Sequence, residues 1–227
     1  MSLSHSPSIV TSGLIQCFDA ANPKSYTGSG TAWNDLSQNN NNGTLTNGPT
    51  FSSANKGSII FDGVDDFAVF PISSTSTTSI TMTGFVNVTL NKKGPFFKNG
   101  GGANGYAIGI GNTNFDDNGN NVIALFPGVR WVPTSTSWNS GWQMVTFILD
   151  ASSVISGYKN LEPITFPTGL APATPTSNLY LGRNVGDEPS LVRATNCGIA
   201  MFMLYNKVLS LAELTQNFNA LRGRYGI

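Results

Sequence analysis

The stretch SIIFDGVDDF, residues 58–67, decides the fold class of this chain. It begins with a short apolar run through Phe61, continues into a turn built from Asp and Gly, and starts a second apolar run at Phe67. This order of residue types is typical of two β-strands joined by a tight turn. We therefore predict a β-hairpin here, and we look for further strands on both sides of it.

Composition supports a sheet protein with many turns. Only 11% of the 227 residues are charged, the formal net charge is +0, and aromatic residues make up 11%. So many aromatic residues argue against disorder, and the abundance of Gly and small polar residues argues against a helical bundle. Because the chain has no large Lys/Arg cluster and no apolar run of about 18 residues, we expect neither a nucleic-acid partner nor a membrane partner.

The N-terminus has neither a basic start nor an apolar core. We therefore expect no signal peptide, with synthesis in a cytoplasm and no processing.

Alternating apolar and polar residues predict strands along most of the chain. Residues 79–90 alternate most clearly, while residues 142–150 and 197–205 are apolar on both faces, as in strands covered on both sides. The polar stretch 22–55 reads as a long loop that Trp33 pins to the body of the protein. The remaining predicted strands are 13–20, 106–111, 121–126, 129–132, 154–158 and 178–182.

The C-terminal segment predicts one short helix. Ser210 and Glu213 have the spacing of a capping box, and Leu209 and Leu214 stand at the staple positions around it. Gly223 lies where a C-terminal cap is expected. We predict an amphipathic helix that packs on the sheets.

Two cysteines lie in the first and last predicted strands, Cys17 and Cys197. Such strands often neighbour each other, so a disulfide is one interpretation. Two buried free thiols are the other, and a reducing compartment favours it.

These segments together resemble laminin-G-like, concanavalin-A-type jelly-roll domains. The likeness rests on GLIQCFDA, SIIFDGVDDF, SITMTGFVNV, GWQMVTFILD, NLYLGRN and the terminal block that contains KVLSLAE. It implies an all-β, two-sheet antiparallel jelly-roll sandwich with one short C-terminal helix. We expect a single domain over residues 1–227, with residues 1–12 as an extended arm.

A narrower likeness concerns single-domain virion structural proteins of tailed phages. It rests on GLIQCFDAANPKSY, WNDLSQNNNNGTLTNGPTF and NFNALRGRYGI. It implies a non-enzymatic structural protein of the virion, either a capsid decoration or a tail-fibre component. Other virion proteins would be its partners. A host-surface glycan would be a further contact, and the chain could form a homo-oligomer.

Catalytic constellations are missing from the sequence. His5 is the only histidine, so a Ser-His-Asp or Cys-His machine lacks its base. Glu162, Glu188 and Glu213 do not form a pair on one strand, as concanavalin-type glucanases require. The sequence therefore predicts that the protein is not an enzyme, and polysaccharide degradation is the weakest of the three functions we weigh.

Acidic turns supply the candidate metal ligands. Asp62, Asp65 and Asp66 bracket one turn, and residues 116–120 form another. Turns rich in oxygen ligands can hold calcium, although Asp, Asn and Gly are also the residues that tight turns require.

Aromatic residues beside Gly/Asn-rich loops are the candidate glycan-binding residues: Trp138, Trp131 and Tyr106. A sugar stacks on an exposed ring next to amide and carboxylate groups, but most Trp residues of a sandwich are core anchors. The alternative to the virion role is therefore a calcium-assisted, carbohydrate-binding lectin.

Overall fold

The computed structural model describes residues 8–71, 74–89, 94–101, 104–111, 122–126, 132–184 and 193–227. Within these ranges, no helix has the length and apolar character needed to span a bilayer. The strands are β1 (Leu14–Asp19), β2 (Ala32–Trp33), β3 (Gly43–Thr46), β4 (Thr50–Ser52), β5 (Ser58–Asp62), β6 (Phe67–Phe70), β7 (Ile80–Val88), β8 (Gly94–Asn99), β9 (Tyr106–Gly111), β10 (Val122–Phe126), β11 (Val132–Ser137), β12 (Trp142–Leu149), β13 (Ile155–Lys159), β14 (Glu162–Pro163), β15 (Leu179–Leu181), β16 (Arg183–Asn184), β17 (Arg193–Ala194) and β18 (Asn196–Tyr205). One α-helix, α1 (Leu211–Leu221), follows, and 3-10 turns lie at Ala54–Lys56 and Arg222–Arg224.

The strands form two large antiparallel sheets. Sheet A has the order β14-β13-β12-β7-β18-β5-β4, with β1 also paired to β18. Sheet B has the order β11-β10-β9-β8-β15-β6-β3-β2, while β16 and β17 pair separately. Buried residues of both sheets form one core cluster between them. The predicted two-sheet sandwich with a C-terminal helix is confirmed.

The predicted hairpin at residues 58–67 is wrong. β5 pairs with β18 and β4 in sheet A, whereas β6 pairs with β15 and β3 in sheet B. The turn between them therefore carries the chain from one sheet to the other. Local sequence cannot distinguish the two cases, since both need a tight turn between two apolar strands.

The central strands of sheet A are covered on both faces, as predicted. Phe147 and Phe202 point into the core between the sheets, while Met144 and Met203 belong to a second apolar cluster on the outer face. That second cluster includes Leu214 of α1. The helix thus covers part of the outer face of sheet A, which explains the continuous apolar runs.

The polar stretch 22–55 contains three short strands that the sequence analysis missed, β2, β3 and β4. Trp33 is fully buried and contacts Phe18 and Phe70, so its predicted anchoring role is confirmed. A Cβ atom on Gly43 would overlap the ring of Phe70. Glycine here lets β3 lie against the aromatic core, a packing reason that turn composition does not reveal.

Helix α1 begins with the predicted capping box. The Glu213 amide donates to Ser210 Oγ at 3.3 Å, and the Ser210 amide donates to Glu213 Oε2 at 2.9 Å. Gly223 directly follows the C-cap residue Arg222, where the sequence placed the cap, but its φ is not positive and it lies in a 3-10 turn, so it does not form the left-handed glycine cap.

The segment after α1 folds back onto sheet A. Arg224 Nη1 donates to both carboxylate oxygens of the buried Asp19, at 2.9 and 2.8 Å. The ring of Tyr225 packs on Trp142 and Phe85, with centroid distances of 4.9 and 4.6 Å. The C-terminus is therefore an ordered cover on the sheet.

The two cysteines are free thiols. Cys17 pairs in register with Met203, and Cys17 and Cys197 belong to opposite clusters, one on each face of sheet A. Burial, together with the nearby Asp19 and Asp35, raises the pKa of the Cys17 thiol to about 12. Of the two interpretations of the sequence, the structure supports buried thiols.

Candidate functional site

Two of the predicted glycan-stacking residues lie in the core. Tyr106 is fully buried, stacks on Phe147 at 5.5 Å, and accepts a hydrogen bond from Asn99 Nδ2 at 2.8 Å. Trp138 is 3% exposed and packs against Phe96. Neither ring offers a face to a ligand, which corrects the sequence interpretation. Trp131 lies outside the described residues.

The predicted acidic residues do come together. Asp62, Asp65 and Asp66 each offer a carboxylate oxygen, and these oxygens all lie within 4.8 Å of one another. The Val64 amide donates to Asp62 Oδ1 at 2.7 Å, and the Asp62 amide donates to Asp66 Oδ2 at 3.1 Å. Burial, with the charges of Asp62 and Asp65, raises the pKa of Asp66 despite that hydrogen bond.

These three carboxylates have the hard oxygen donors that calcium prefers, but calcium takes about 6–8 oxygens. The Asp65 carbonyl is already engaged, since Asn47 Nδ2 and Arg183 Nη1 donate to it at 3.0 and 3.2 Å. One oxygen from each of the three carboxylates therefore falls short of a complete calcium site. The second acidic turn, residues 116–120, lies outside the described residues.

A polar pocket opens on the outer face of sheet A, beyond the part that α1 covers. One cross-strand row forms it, because Ile60 pairs with Gly198, Gly198 with Asn87, and Asn87 with Trp142. The pocket has a volume of about 190 Å³. It is smaller than the roughly 300–1,000 Å³ of pockets that hold drug-sized ligands.

Gly198 lies between the side chains of this row. A Cβ atom on it would lie 3.1 Å from Ile60 Cδ1, 3.5 Å from Trp142 Cη2 and 3.6 Å from Ser58 Oγ. Glycine at this position therefore leaves space that any other residue would fill. The indole edge of Trp142 forms one wall, and its ring is fixed from behind by Tyr225.

The polar groups around the pocket have few protein partners. Ser58 is 2% exposed, and its Oγ forms no hydrogen bond with any described residue. The side chains of Asn87 and Asn196 likewise form none within the described chain. Ser58 is buried, whereas Asn87 and Asn196 are half-buried and reach solvent, so these donors and acceptors are available to a ligand or to water.

The acidic turn adjoins this pocket. Asp62 pairs in register with Asn196, and it shares the outward side of β5 with Ser58 and Ile60. Uncharged polar groups, an indole edge and a carboxylate are thus neighbours on one face. Trp142 is buried, as its place in a strand covered on both faces predicts, but the sequence did not reveal the pocket that its indole edge borders. The polar Asn87 at the end of an apolar strand was the available signal.

A second cavity, of about 420 Å³, lies between the β12–β13 turn and residues 166–171. Its lining includes the side chains of Val154, Ile155, Phe166 and Leu170. It lacks the cluster of amide groups that marks the pocket on sheet A. We therefore treat the polar pocket as the candidate functional site.

Comparisons with known proteins give structural matches only. No protein-family model matches the chain, and no curated protein matches it by sequence. Trypanosoma rangeli sialidase in complex with sialic acid superposes with a TM-score of 0.67 at 17% identity, over 99% of this chain and 37% of the sialidase. The same enzyme in complex with the inhibitor DANA gives a TM-score of 0.67 at 17% identity, over 96% of this chain and 35% of the sialidase. The binding domain of Paraclostridial Mosquitocidal Protein 1 gives a TM-score of 0.63 at 13% identity, over 92% of this chain and 52% of the toxin chain.

The fold is a concanavalin-A/laminin-like β-sandwich. The chain spans about a third of the sialidase chains and about half of the toxin chain that it matches. The sequence predicted that this protein is not an enzyme. That exclusion of enzymes is wrong, because the same fold forms part of chains that are sialidases. The missing catalytic pairs in the sequence therefore do not decide the class of protein.

Proposed function

We propose that this protein is a carbohydrate-binding module and that the polar pocket on sheet A is its binding site. The observation that carries the proposal is the set of side chains around Gly198 that have no hydrogen-bond partner among the described residues, namely Ser58, Asn87 and Asn196, beside the indole edge of Trp142.

The chemistry of this lining suits a sugar. An Asn side chain both donates and accepts hydrogen bonds, as a Ser hydroxyl does, and sugar hydroxyls need both functions. The edge of Trp142 supplies an apolar contact for the C–H groups of a sugar ring. A ligand with this pattern of hydroxyl and C–H groups satisfies polar groups that have no partner in the part of the chain that the structure describes.

The structural neighbours support the same class of ligand. The matching sialidase has been solved with sialic acid, and the matching toxin segment is a binding domain. Since the identities are 17% and 13%, they support the fold and leave the ligand to be tested.

A glycan array and calorimetry test the proposal. We expect the natural protein to bind a subset of glycans, and we expect Asn87→Ala with Asn196→Ala to lower the affinity at least about tenfold, since two side chains that bond the sugar are lost. Asn219→Ala is the matched control, because Asn219 is exposed on α1 and does not line the pocket. Binding of no glycan, or equal binding by the double variant, would contradict the proposal.

The same protein samples test whether calcium assists binding and whether the protein cleaves the glycan. Parallel arrays with and without a chelator determine whether the carboxylates of Asp62, Asp65 and Asp66 assist binding through a metal ion. Mass spectrometry of the recovered glycans determines whether the protein also cleaves them.

A virion structural role is the second candidate function. It rests on the likeness of the opening and closing sequence stretches to phage virion proteins, with docking onto other virion proteins as its mechanism. Mass spectrometry of purified virions tests it, and absence of the protein from the particles would contradict it.

A further inference from the structure

We propose that the pocket selects an uncharged sugar residue and rejects acidic sugars such as sialic and uronic acids. This inference rests on the proposed carbohydrate-binding function and names the class of ligand for the same site.

The described residues that line the pocket carry no charge. The polar groups that face the cavity are hydroxyls and amides, contributed by Ser52, Asn55, Ser58, Asn87, Thr89 and Asn196. A carboxylate is recognised best by a guanidinium or an ammonium group, which forms short charge-assisted hydrogen bonds. The described lining contains neither group, so it can satisfy hydroxyls but cannot pair with an anion.

Among the described residues, the charges near the pocket are mainly negative. Asp62 is the register partner of Asn196. Carboxylate oxygens of Asp62, Asp65 and Asp66 lie within 4.8 Å of one another. Arg183 is directed to the Asp65 carbonyl and lies over the ring of Phe67, with 5.5 Å from its Cζ to the ring centroid. Lys56 is the nearest cation along the chain, next to Asn55, and it is exposed. An anionic sugar would therefore meet like charge beside the cavity.

The size of the pocket limits how many sugar residues it can hold. A volume of about 190 Å³ is below the roughly 300–1,000 Å³ typical of drug-sized ligands, so the cavity accommodates a single terminal residue. Gly198 keeps this space open, since a methyl group there would lie against Ile60 and Ser58. The rest of a glycan would extend over the exposed rim.

Direct ligand comparison tests the inference without any variant. The methyl glycosides of glucose, galactose, mannose and N-acetylglucosamine are compared with sialic acid and glucuronic acid by calorimetry and saturation-transfer NMR. We expect at least one neutral glycoside to bind, and the acids to bind at least about tenfold more weakly. Affinity for the neutral sugar should stay constant between ~0.01 M and ~1 M salt, where the Debye length falls from about 30 to 3 Å.

Three variants assign the effect to this site. Gly198→Ala should lower neutral-sugar affinity at least about tenfold by filling the cavity, whereas Gly223→Ala, whose Cβ would meet no atom within 4 Å, should leave it unchanged. Asp62→Asn should raise the affinity of the acids relative to that of the neutral sugar, since a like charge is removed.

The outcomes separate the two proposals. Binding of the acidic sugars as tightly as the neutral ones, or a steep loss of affinity with salt, would overturn this inference and leave carbohydrate binding intact. Binding of no sugar would overturn both. Neutral-sugar binding that Gly198→Ala does not weaken would place the site elsewhere on the protein and overturn this inference.

Discussion

At the scale of single residues, the ion pair of Asp19 and Arg224 differs from that of Lys207 and Glu213 in burial. The side chain of Asp19 is 6% exposed and that of Arg224 is 26% exposed, against 27% for Glu213 and 32% for Lys207. Removing one partner of a buried pair leaves a desolvated charge, whereas an exposed pair contributes little. The two pairs therefore make a matched comparison.

We expect Arg224→Met to lower the free energy of unfolding by about 2–3 kcal/mol, a figure reduced from the fully buried case because the guanidinium is partly solvated. Lys207→Met should lower it by about 0.5 kcal/mol. Urea denaturation measures both changes. Equal losses for the two variants would show that burial of Asp19 does not govern the strength of its pair.

At the scale of elements, the capping box of α1 is the feature that local sequence predicted best. Ser210 and Glu213 are three residues apart, so their mutual hydrogen bonds depend only on helical geometry. The end of the helix at Arg222 depends instead on the return of Arg224 and Tyr225 to sheet A, and the sequence did not show that contact.

The capping box also has a predicted pH dependence. The hydrogen bonds of Glu213 with Lys207 and Ser210 lower the pKa of Glu213 from its ordinary 4.5. Its carboxylate therefore stabilises the fold above about pH 4.5, and this contribution is lost as the pH falls through the lowered pKa. Urea denaturation at neutral and acidic pH should show Glu213→Gln less stable than the natural protein at pH 7, with the difference vanishing in acid. A difference that grows in acid would contradict the assignment.

At the scale of the whole molecule, the C-terminal segment connects the stability of sheet A to the candidate site. Tyr225 packs on Trp142, and Trp142 forms a wall of the polar pocket. The pocket itself combines residues from β5, β7, β12 and β18, which lie far apart in the sequence.

We expect Tyr225→Ala to lower the free energy of unfolding by about 3 kcal/mol, because a buried aromatic ring is lost. The same variant should weaken glycan binding several-fold, since Trp142 loses its support. Urea denaturation and calorimetry measure the two effects, and Tyr225→Phe, which keeps the ring, is the control. Unchanged binding in a destabilised but folded Tyr225→Ala protein would show that the position of Trp142 does not depend on this contact.

The sequence by itself determined the features whose physical causes are local. Alternation of side chains along a strand, turns built from Asp and Gly, and a cap three residues from its partner all act over a few residues, and they sufficed for the all-β sandwich and its helix. Only the tertiary structure decided that β6 leaves β5 for the opposite sheet, that Tyr106 and Trp138 are buried, and that Gly198 lies beside Asn87 and Trp142. These outcomes depend on which strands become neighbours, and strand pairing is chosen by the packing of the whole core.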